Sequence, residues 1–181
     1  MPILRHLTAA DYTEQRWANG RGRTTELLRV ERDGQLLLRL SMAMVAEDGD
    51  FSLFPDIERS LTVIAGPGFR LKGKGIDVRC LALVPVAFPG DVPVRAVGTR
   101  RVQSDDFGVM TARHLPRPQV TVEHDGSELP PGGLLALFAL GDVAAAGVAL
   151  ARYDLLLTDG PADIRGLWPV IAVRVWGVEY G

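Results

Sequence analysis

Glycine and proline occur along the whole chain and interrupt it before a long helix can form. The 181 residues include 20 glycines and 12 prolines, and the apolar runs between them are short. Short apolar runs bounded by Gly and Pro turns are typical of strands in a barrel or sandwich. We therefore predict strands over residues 36–45, 61–65, 78–88, 94–97, 119–123, 134–140, 148–157 and 170–179. The predicted helices are short, over 9–14 behind a capping Thr8 and over 54–58.

The strand predicted over residues 36–45 has two faces of different chemistry. Alternation places five apolar side chains on one face: Leu36, Leu38, Leu40, Met42 and Met44. The other face carries Arg39 and Ser41 among apolar neighbours. Arg39 either extends into solvent or lines a barrel interior, where its planar guanidinium binds a carboxylate.

A weak internal repeat occurs at an offset of about 70 residues. Val78 matches Val148, Gly90 matches Gly160, and the pair Val94-Arg95 matches Ile164-Arg165. Two copies of one small barrel leave such a pattern. We predict an all-β chain in one packed unit, 1–181, with approximate halves 1–113 and 114–181.

Charge and composition exclude several classes of protein. The net charge of −2 argues against general nucleic-acid binding, which needs a basic excess. The apolar stretch over residues 129–151 contains glycines and prolines, so we predict no membrane span. The N-terminus lacks the apolar core of a signal peptide. The single cysteine, Cys80, allows no intrachain disulfide, which fits a cytoplasmic protein.

The histidines do not form a metal-binding pattern. His6, His114 and His124 are the only three, and no two have the spacing of paired ligands. We predict that the protein has no bound metal and needs no cofactor.

Residues 17–26 place an aromatic, an amide, two arginines, two hydroxyls and a carboxylate close together. The segment contains Trp17, Asn19, Thr24 and Glu26. It is either a turn into a strand, with Trp17 in the core and Glu26 paired to an arginine, or part of a polar site.

A second cluster runs from Arg39 to Arg59. Ser41 and Ser52 supply hydroxyls, and Phe51 and Phe54 supply apolar walls. Asp105 and Asp106 are adjacent, so on a strand they point to opposite faces and form no catalytic dyad.

These residues resemble motifs of the HutD/Ves family, in the same order over roughly residues 15–115. The motifs are Trp17-x-Asn19-x-x-Gly22-x-Thr24-x-Glu26, Arg39-x-Ser41-x-Ala43, Gly49-x-Phe51-Ser52-x-Phe54-Pro55-x-x-x-Arg59, Gly66, Phe88-x-Gly90-Asp91 and Asp106-Phe107-x-Val109-Met110-Thr111-x-Arg113. One position departs from the family pattern, since Gly108 stands where the family usually has Asn.

The resemblance implies a cupin-like fold with two barrels in one chain, a bicupin. It also implies a link to bacterial histidine utilisation and to its small acids, such as urocanate and formylglutamate. No catalytic activity is firmly attached to the family, and the paired His and Glu of metal-binding cupins are absent from this sequence. If the family's Asn contacts a ligand, Gly108 has lost that contact.

We therefore predict a metal-free protein that binds a small carboxylate and modulates histidine utilisation. Arg39 and Arg59 would recognise the carboxylate and Ser41 and Ser52 would hydrogen-bond to it. The remaining predicted site residues are the walls Phe51, Phe54 and Trp17 and the mouth residues Asn19, Thr24 and Glu26.

Two alternatives remain open from the sequence. The chain could be a metal-free isomerase or hydrolase in which Glu26 or Asp106, its pKa raised by burial, is the general acid or base. It could also be an interaction module without a ligand. Edge strands would allow a homodimer.

Overall fold

The computed structural model describes residues 3–17 and 22–181, and the regular secondary structure of these residues is almost entirely β-strand. The described residues form nineteen strands and one 3₁₀ helix, Ala9–Asp11. The strands form four sheets in which all neighbours pair antiparallel. The all-β prediction is confirmed. The described residues contain no helix long and apolar enough to cross a membrane.

Residues 13–114 form one compact unit, here called the N-terminal unit. It contains a six-stranded sheet with the order β2-β3-β4-β11-β6-β9 and a four-stranded sheet with the order β5-β10-β7-β8. The strands are β2 (Thr13–Arg16), β3 (Arg23–Arg32), β4 (Gln35–Val45), β5 (Gly49–Asp50), β6 (Ile57–Ala65), β7 (Phe69–Gly73), β8 (Ile76–Cys80), β9 (Val86–Pro89), β10 (Val94–Val97) and β11 (Ser104–Ala112).

Residues 3–12 and 115–181 form the second compact unit, here called the C-terminal unit. Its sheets have the orders β1-β17-β14-β19-β12 and β13-β18-β15-β16. The strands are β1 (Ile3–Leu7), β12 (Gln119–Glu123), β13 (Glu128–Leu129), β14 (Leu134–Ala139), β15 (Val143–Ala145), β16 (Val148–Leu150), β17 (Leu155–Thr158), β18 (Ala162–Arg165) and β19 (Val170–Val175). The sequence-based halves, 1–113 and 114–181, placed β1 in the N-terminal half, whereas here it pairs with β17.

The two units share a strand order. The order β5-β10-β7-β8 in one corresponds to β13-β18-β15-β16 in the other, and β4-β11-β6-β9 corresponds to β12-β19-β14-β17. The sequence repeat falls on equivalent strands, since Val94 lies in β10 and Ile164 in β18. In each sheet the order is linear, and no pairing among the described strands closes a sheet into a barrel.

One predicted helix is shorter than expected, although Thr8 is its N-cap as predicted, and the other predicted helix is wrong. The helix predicted over 9–14 stops after one 3₁₀ turn, because Thr13 and the residues after it pair with β3 as β2. Residues 54–58 form no helix, since the segment is irregular before β6 begins at Ile57. The predicted strands over 78–88 and 148–157 are each divided into two, at residues 81–85 and 151–154.

Candidate functional site

The N-terminal unit contains a cavity of about 440 Å³. Strands β4, β6 and β11 supply its floor, and the segment before β6 supplies an aromatic wall. A volume of this size is typical of pockets for small molecules.

Most of the predicted site residues line this cavity. They are Trp17, Thr24, Arg39, Ser41, Phe51, Ser52, Phe54, Arg59 and Asp106. Glu26 is not among the lining residues and instead holds Arg39. Asn19 lies outside the described residues.

Strand register explains why residues far apart in sequence meet on the floor. Arg39 on β4 lies opposite Met110 on β11, and Met110 lies opposite Arg59 on β6. In the next row Ser41 lies opposite Gly108. Directly opposed residues in a sheet point to the same face, so both arginines point into the cavity. The predicted faces of β4 are confirmed, since Leu38 and Leu40 on the other face are fully buried.

Arg39 is held by a carboxylate beside the cavity. Its Nε donates to Glu26 Oε2 at 2.7 Å, and the two side chains are 11% and 19% exposed. Arg29 also lies 3.5 Å from the same oxygen. The terminal nitrogens of Arg39 make no hydrogen bond within the described residues, so they are free to bind a ligand.

Arg59 is surrounded by aromatic rings. Its guanidinium carbon lies 5.4, 5.3 and 5.1 Å from the ring centroids of Phe51, Phe54 and Phe88. Its Nη1 donates to the Ser52 carbonyl at 3.3 Å. Burial lowers the pKa of Arg59 to about 10, so the side chain remains a cation at neutral pH. No carboxylate of the described residues lies within ion-pair distance of it.

Asp106 is the most deeply buried acid of the site. The residue is 4% exposed, and its Oδ2 has no hydrogen-bond partner within the described residues. Burial raises the pKa of Asp106 to about 7, although the positive charge of Arg59 acts in the opposite direction. Near neutral pH the carboxyl group can therefore either donate or accept a proton.

The aromatic wall is fixed by backbone hydrogen bonds. The amide of Phe51 donates to the Val94 carbonyl at 2.9 Å, and that of Phe54 donates to the Gly90 carbonyl at 2.8 Å. Phe51 also packs against Phe88, with ring centroids 6.5 Å apart. Irregular backbone is thus held in one position at the edge of the cavity.

An ion-pair network supports the same segment from outside. Arg113 donates to both carboxylate oxygens of Asp91 at 2.8 and 2.7 Å and to Glu58 at 2.8 Å. The Arg113 amide donates to the carbonyl of Asp56 at 2.8 Å. The Arg113 guanidinium lowers the pKa of Asp91 to about 2.

Trp17 covers another side of the cavity. Its Nε1 donates to Thr24 Oγ1 at 2.9 Å. Gly22 lies against the Trp17 ring, and a Cβ there would come within 2.9 Å of the ring and 2.8 Å of the Met44 carbonyl. The glycine is therefore needed for this close approach.

Several lining residues were not predicted as part of the site: Gln15, Arg16, Asp50, Leu61 and Met110. Phe88, which contacts Arg59, was also missed. Alternation along β11 could have placed Met110 beside Asp106 once one of them was assigned to the cavity.

The histidines are separated in the structure as in the sequence. His6 lies in β1, and its Nε2 forms a hydrogen bond with Asp154 Oδ2 at 2.8 Å, whereas His114 and His124 follow β11 and β12. Within residues 3–17 and 22–181, no three side chains of His, Cys, Asp or Glu gather in a way that could hold a metal ion.

Comparison with known sequences identifies a family. The sequence model of the HutD family matches residues 9–168. The protein Ves of Cronobacter sakazakii is 36% identical over 107 residues, which is 59% of this chain and 59% of that relative. The chain thus matches under two thirds of the length of Ves. An uncharacterized 21.2 kDa protein in the hutC 3′ region of Pseudomonas putida is 32% identical over 92% of this chain and 93% of that relative.

Solved structures agree in fold. HutD from Pseudomonas fluorescens SBW25 has a TM-score of 0.84 at 27% identity, over 96% of this chain and 99% of that chain. YlbA from Escherichia coli has a TM-score of 0.66 at 12% identity, over 99% and 96%. The pirin YhhW from E. coli, in complex with nickel(II), has a TM-score of 0.68 at 10% identity, over 96% and 99%. The last two likenesses are of the fold alone, which is cupin-like.

Proposed function

The chain belongs to the HutD family, and on that premise we propose that its N-terminal unit binds a small carboxylate metabolite without a metal. The observation that supports this most is the setting of Arg59, a cation in an aromatic enclosure at the cavity, with no carboxylate of the described residues paired to it. A ligand carboxylate would supply the missing negative charge.

The two arginines would contribute differently to recognition of the ligand carboxylate. Arg39 is already oriented by Glu26 and has terminal nitrogens free, so it adds directed hydrogen bonds. Arg59 adds a positive charge that three phenylalanine rings partly shield from water. Each hydrogen bond to a charged group in such a site contributes about 1.5–3 kcal/mol. Ser41 and Ser52 would bind the ligand's remaining polar atoms, and Trp17 and Thr24 would border the entrance.

The physiological ligand would be an acid of histidine breakdown, such as formylglutamate or urocanate. The position of the Pseudomonas putida relative in a hutC 3′ region supports this assignment. By binding such an intermediate, the protein would modulate histidine utilisation in the cytoplasm.

The shared strand order of the two units supports a double-barrel architecture for the chain. Neither nucleic acid nor membrane would be a partner, and a homodimer through edge strands is compatible with this role.

Calorimetric titration with formylglutamate and urocanate tests the proposal. Arg39→Ala and Arg59→Ala should each weaken binding by roughly 10–100-fold, since 1.4 kcal/mol corresponds to tenfold in affinity. Arg70→Ala is a matched control, because Arg70 also pairs with an acid, Asp77, on an exposed hairpin away from the cavity. The control should bind as wild type does.

Two results would contradict the proposal. Equal affinities in wild type and both cavity variants would remove the arginines from the site. Absence of binding to wild type, together with no ligand-induced shift in melting temperature, would favour an interaction module.

An enzyme of the same site is the second candidate. The raised pKa of Asp106, about 7, is what a general acid or base working at neutral pH requires. Glu26 suits that role less well, because Arg39 occupies one of its oxygens. Incubating the protein with each acid and following product by NMR separates the candidates. Turnover that Asp106→Asn abolishes would favour the enzyme.

A further inference from the structure

Asp106 places an unsatisfied carboxyl oxygen at the cavity floor. Oδ2 is buried and without a hydrogen-bond partner among the described residues, whereas most buried polar atoms in proteins have one. Asp106 lines the same cavity as Arg59 and Ser41. Because Asp106 lines the cavity, its carboxyl group is within reach of a ligand bound there.

Several charged or titratable groups act on Asp106. Arg59 on β6 favours its ionised form, and the neighbouring Asp105 opposes it. The charge of Asp106 in turn contributes to the raised pKa of Cys80 on β8. Arg39 and Glu26, on β4 and β3, form a pair of their own. Asp50 and Arg16 line the cavity near the solvent. Arg59 is therefore the one cation of the described residues that stabilises an ionised Asp106 strongly.

A ligand carboxylate would change this balance. It would take the hydrogen-bond donors of Arg59 and bring a second negative charge close to Asp106. Two carboxylates in one buried site cannot both remain ionised at low cost, so one of them takes up a proton. Asp106 is the buried one of the two.

We propose that Asp106 is protonated in the liganded site and donates a hydrogen bond to the ligand, so that binding takes up a proton. This rests on the proposed carboxylate-binding function and adds a specificity rule to it. The site would select ligands with an acceptor at this position over ligands with an N–H donor there. The pH dependence of the affinity distinguishes a protonated Asp106 that donates from an ionised Asp106 that accepts. If Asp106 were ionised and accepted from a ligand N–H, the affinity would rise with pH.

The experiment is titration of N-formylglutamate between pH 5.5 and 8.5, a range in which the ligand's own carboxylates stay ionised. One pH unit above a pKa of about 7, roughly a tenth of the Asp106 side chains are protonated. Wild-type affinity should thus fall by about tenfold from pH 6 to pH 8. Asp106→Asn keeps a donor but cannot titrate, so its affinity should be the same at both pH values.

Asp105→Asn is the matched control. Asp105 is the adjacent carboxylate on the opposite face of β11, bonded to Gln103 at 2.8 Å. This variant should keep an affinity that falls as the pH rises, with the fall displaced toward lower pH because the charge of Asp105 no longer opposes ionisation of Asp106. The proposal would be overturned if the pH dependence of the affinity were lost in Asp105→Asn but kept in Asp106→Asn. It would also be overturned if the wild-type affinity were constant or rose with pH.

A measurement on the free protein keeps the proposal testable if formylglutamate does not bind. The infrared band of a protonated carboxyl group should be present at pH 6, weaken toward pH 8 and be missing in Asp106→Asn. Its absence from wild type at pH 6 would overturn the proposal. Failure of binding alone, with this band present, would count against the proposed ligand and leave the protonation of Asp106 established.

Discussion

Arg59 shows how a single residue acquires chemistry from its surroundings. An exposed arginine is solvated and screened, and its ion pairs contribute little. Three phenylalanine rings around Arg59 shield part of its guanidinium from water and leave hydrogen-bond donors available at the cavity. Charge that is sheltered in this way interacts more strongly with an incoming anion.

Gly108 gives a prediction about cavity size. A Cβ at this position would lie 3.3 Å from Ser41 Oγ, so any side chain would project onto the cavity floor. Gly108→Val should weaken binding of formylglutamate by at least tenfold. Its melting temperature should stay near that of wild type, because valine suits a strand. Titration together with thermal unfolding checks both, and unchanged affinity would place the ligand away from β11.

Asp106 gives a prediction about stability and pH. Its folded pKa of about 7 lies above the ordinary value of 3.8, so the folded state binds this proton more tightly than the unfolded state does. The free energy of unfolding should therefore fall as the pH rises from about 4 to about 7 and then level off. The loss is on the order of 4 kcal/mol at most. Denaturant titrations across this range should show the slope in wild type and lack it in Asp106→Asn.

At the scale of elements, the segment before β6 determines the shape of the cavity. It has no regular structure, yet Val94 and Gly90 hold its backbone and Arg113 holds its outer side. Hydrogen bonds to neighbouring residues thus fix the backbone of this loop, as hydrogen bonds between paired strands fix a strand in a sheet.

Arg113→Ala tests this support. Losing its contacts to Asp91 and Glu58 should loosen residues 51–56 and weaken ligand binding several-fold, although Arg113 does not line the cavity. Hydrogen exchange at the Phe51 and Phe54 amides should rise in step. Arg70→Ala, which removes another exposed arginine–aspartate pair, should change neither. Weaker binding without faster exchange would contradict a positioning role.

Sequence reasoning succeeded where the information was local. Alternation predicted the two faces of β4, and the polar and aromatic residues singled out between 39 and 59 line one cavity. The meeting of Arg39, Met110 and Arg59 in one row depends on register between distant strands, which alternation cannot supply. The helix expected over 9–14 ends early for the same reason, because pairing of residues 13–16 with β3 outweighs local propensity.

At the scale of the whole molecule, the two units have the same strand order but differ in the side chains that their strands carry. The N-terminal unit has arginines and an aspartate at its cavity. The C-terminal unit has an apolar core cluster that includes Leu137, Leu156, Ile164 and Ala172, and the buried polar residues described there are Asp154, Thr158 and Arg174. Strand order therefore does not decide which unit carries a polar site; the side chains on equivalent strands do.

A metal-free protein is expected to survive chelation intact. After purification without added metal, elemental analysis should find far less than one zinc, iron, nickel or manganese per chain. Treatment with EDTA should change neither the melting temperature nor the affinity for formylglutamate, since the proposed contacts come from arginines and hydroxyls. About one metal ion per chain, with loss of binding on chelation, would contradict this.

The shared strand order has a consequence for evolution. It is what duplication of one ancestral segment leaves behind, and after duplication the two copies face different selection. In the C-terminal copy, an interior of leucine, isoleucine and alanine is constrained by volume, so one aliphatic residue can replace another over generations. In the N-terminal copy, Arg39, Arg59 and Asp106 have no such substitutes. Among descendants, core positions of the C-terminal copy should therefore exchange one aliphatic residue for another. The few polar positions of the N-terminal cavity should hardly change at all.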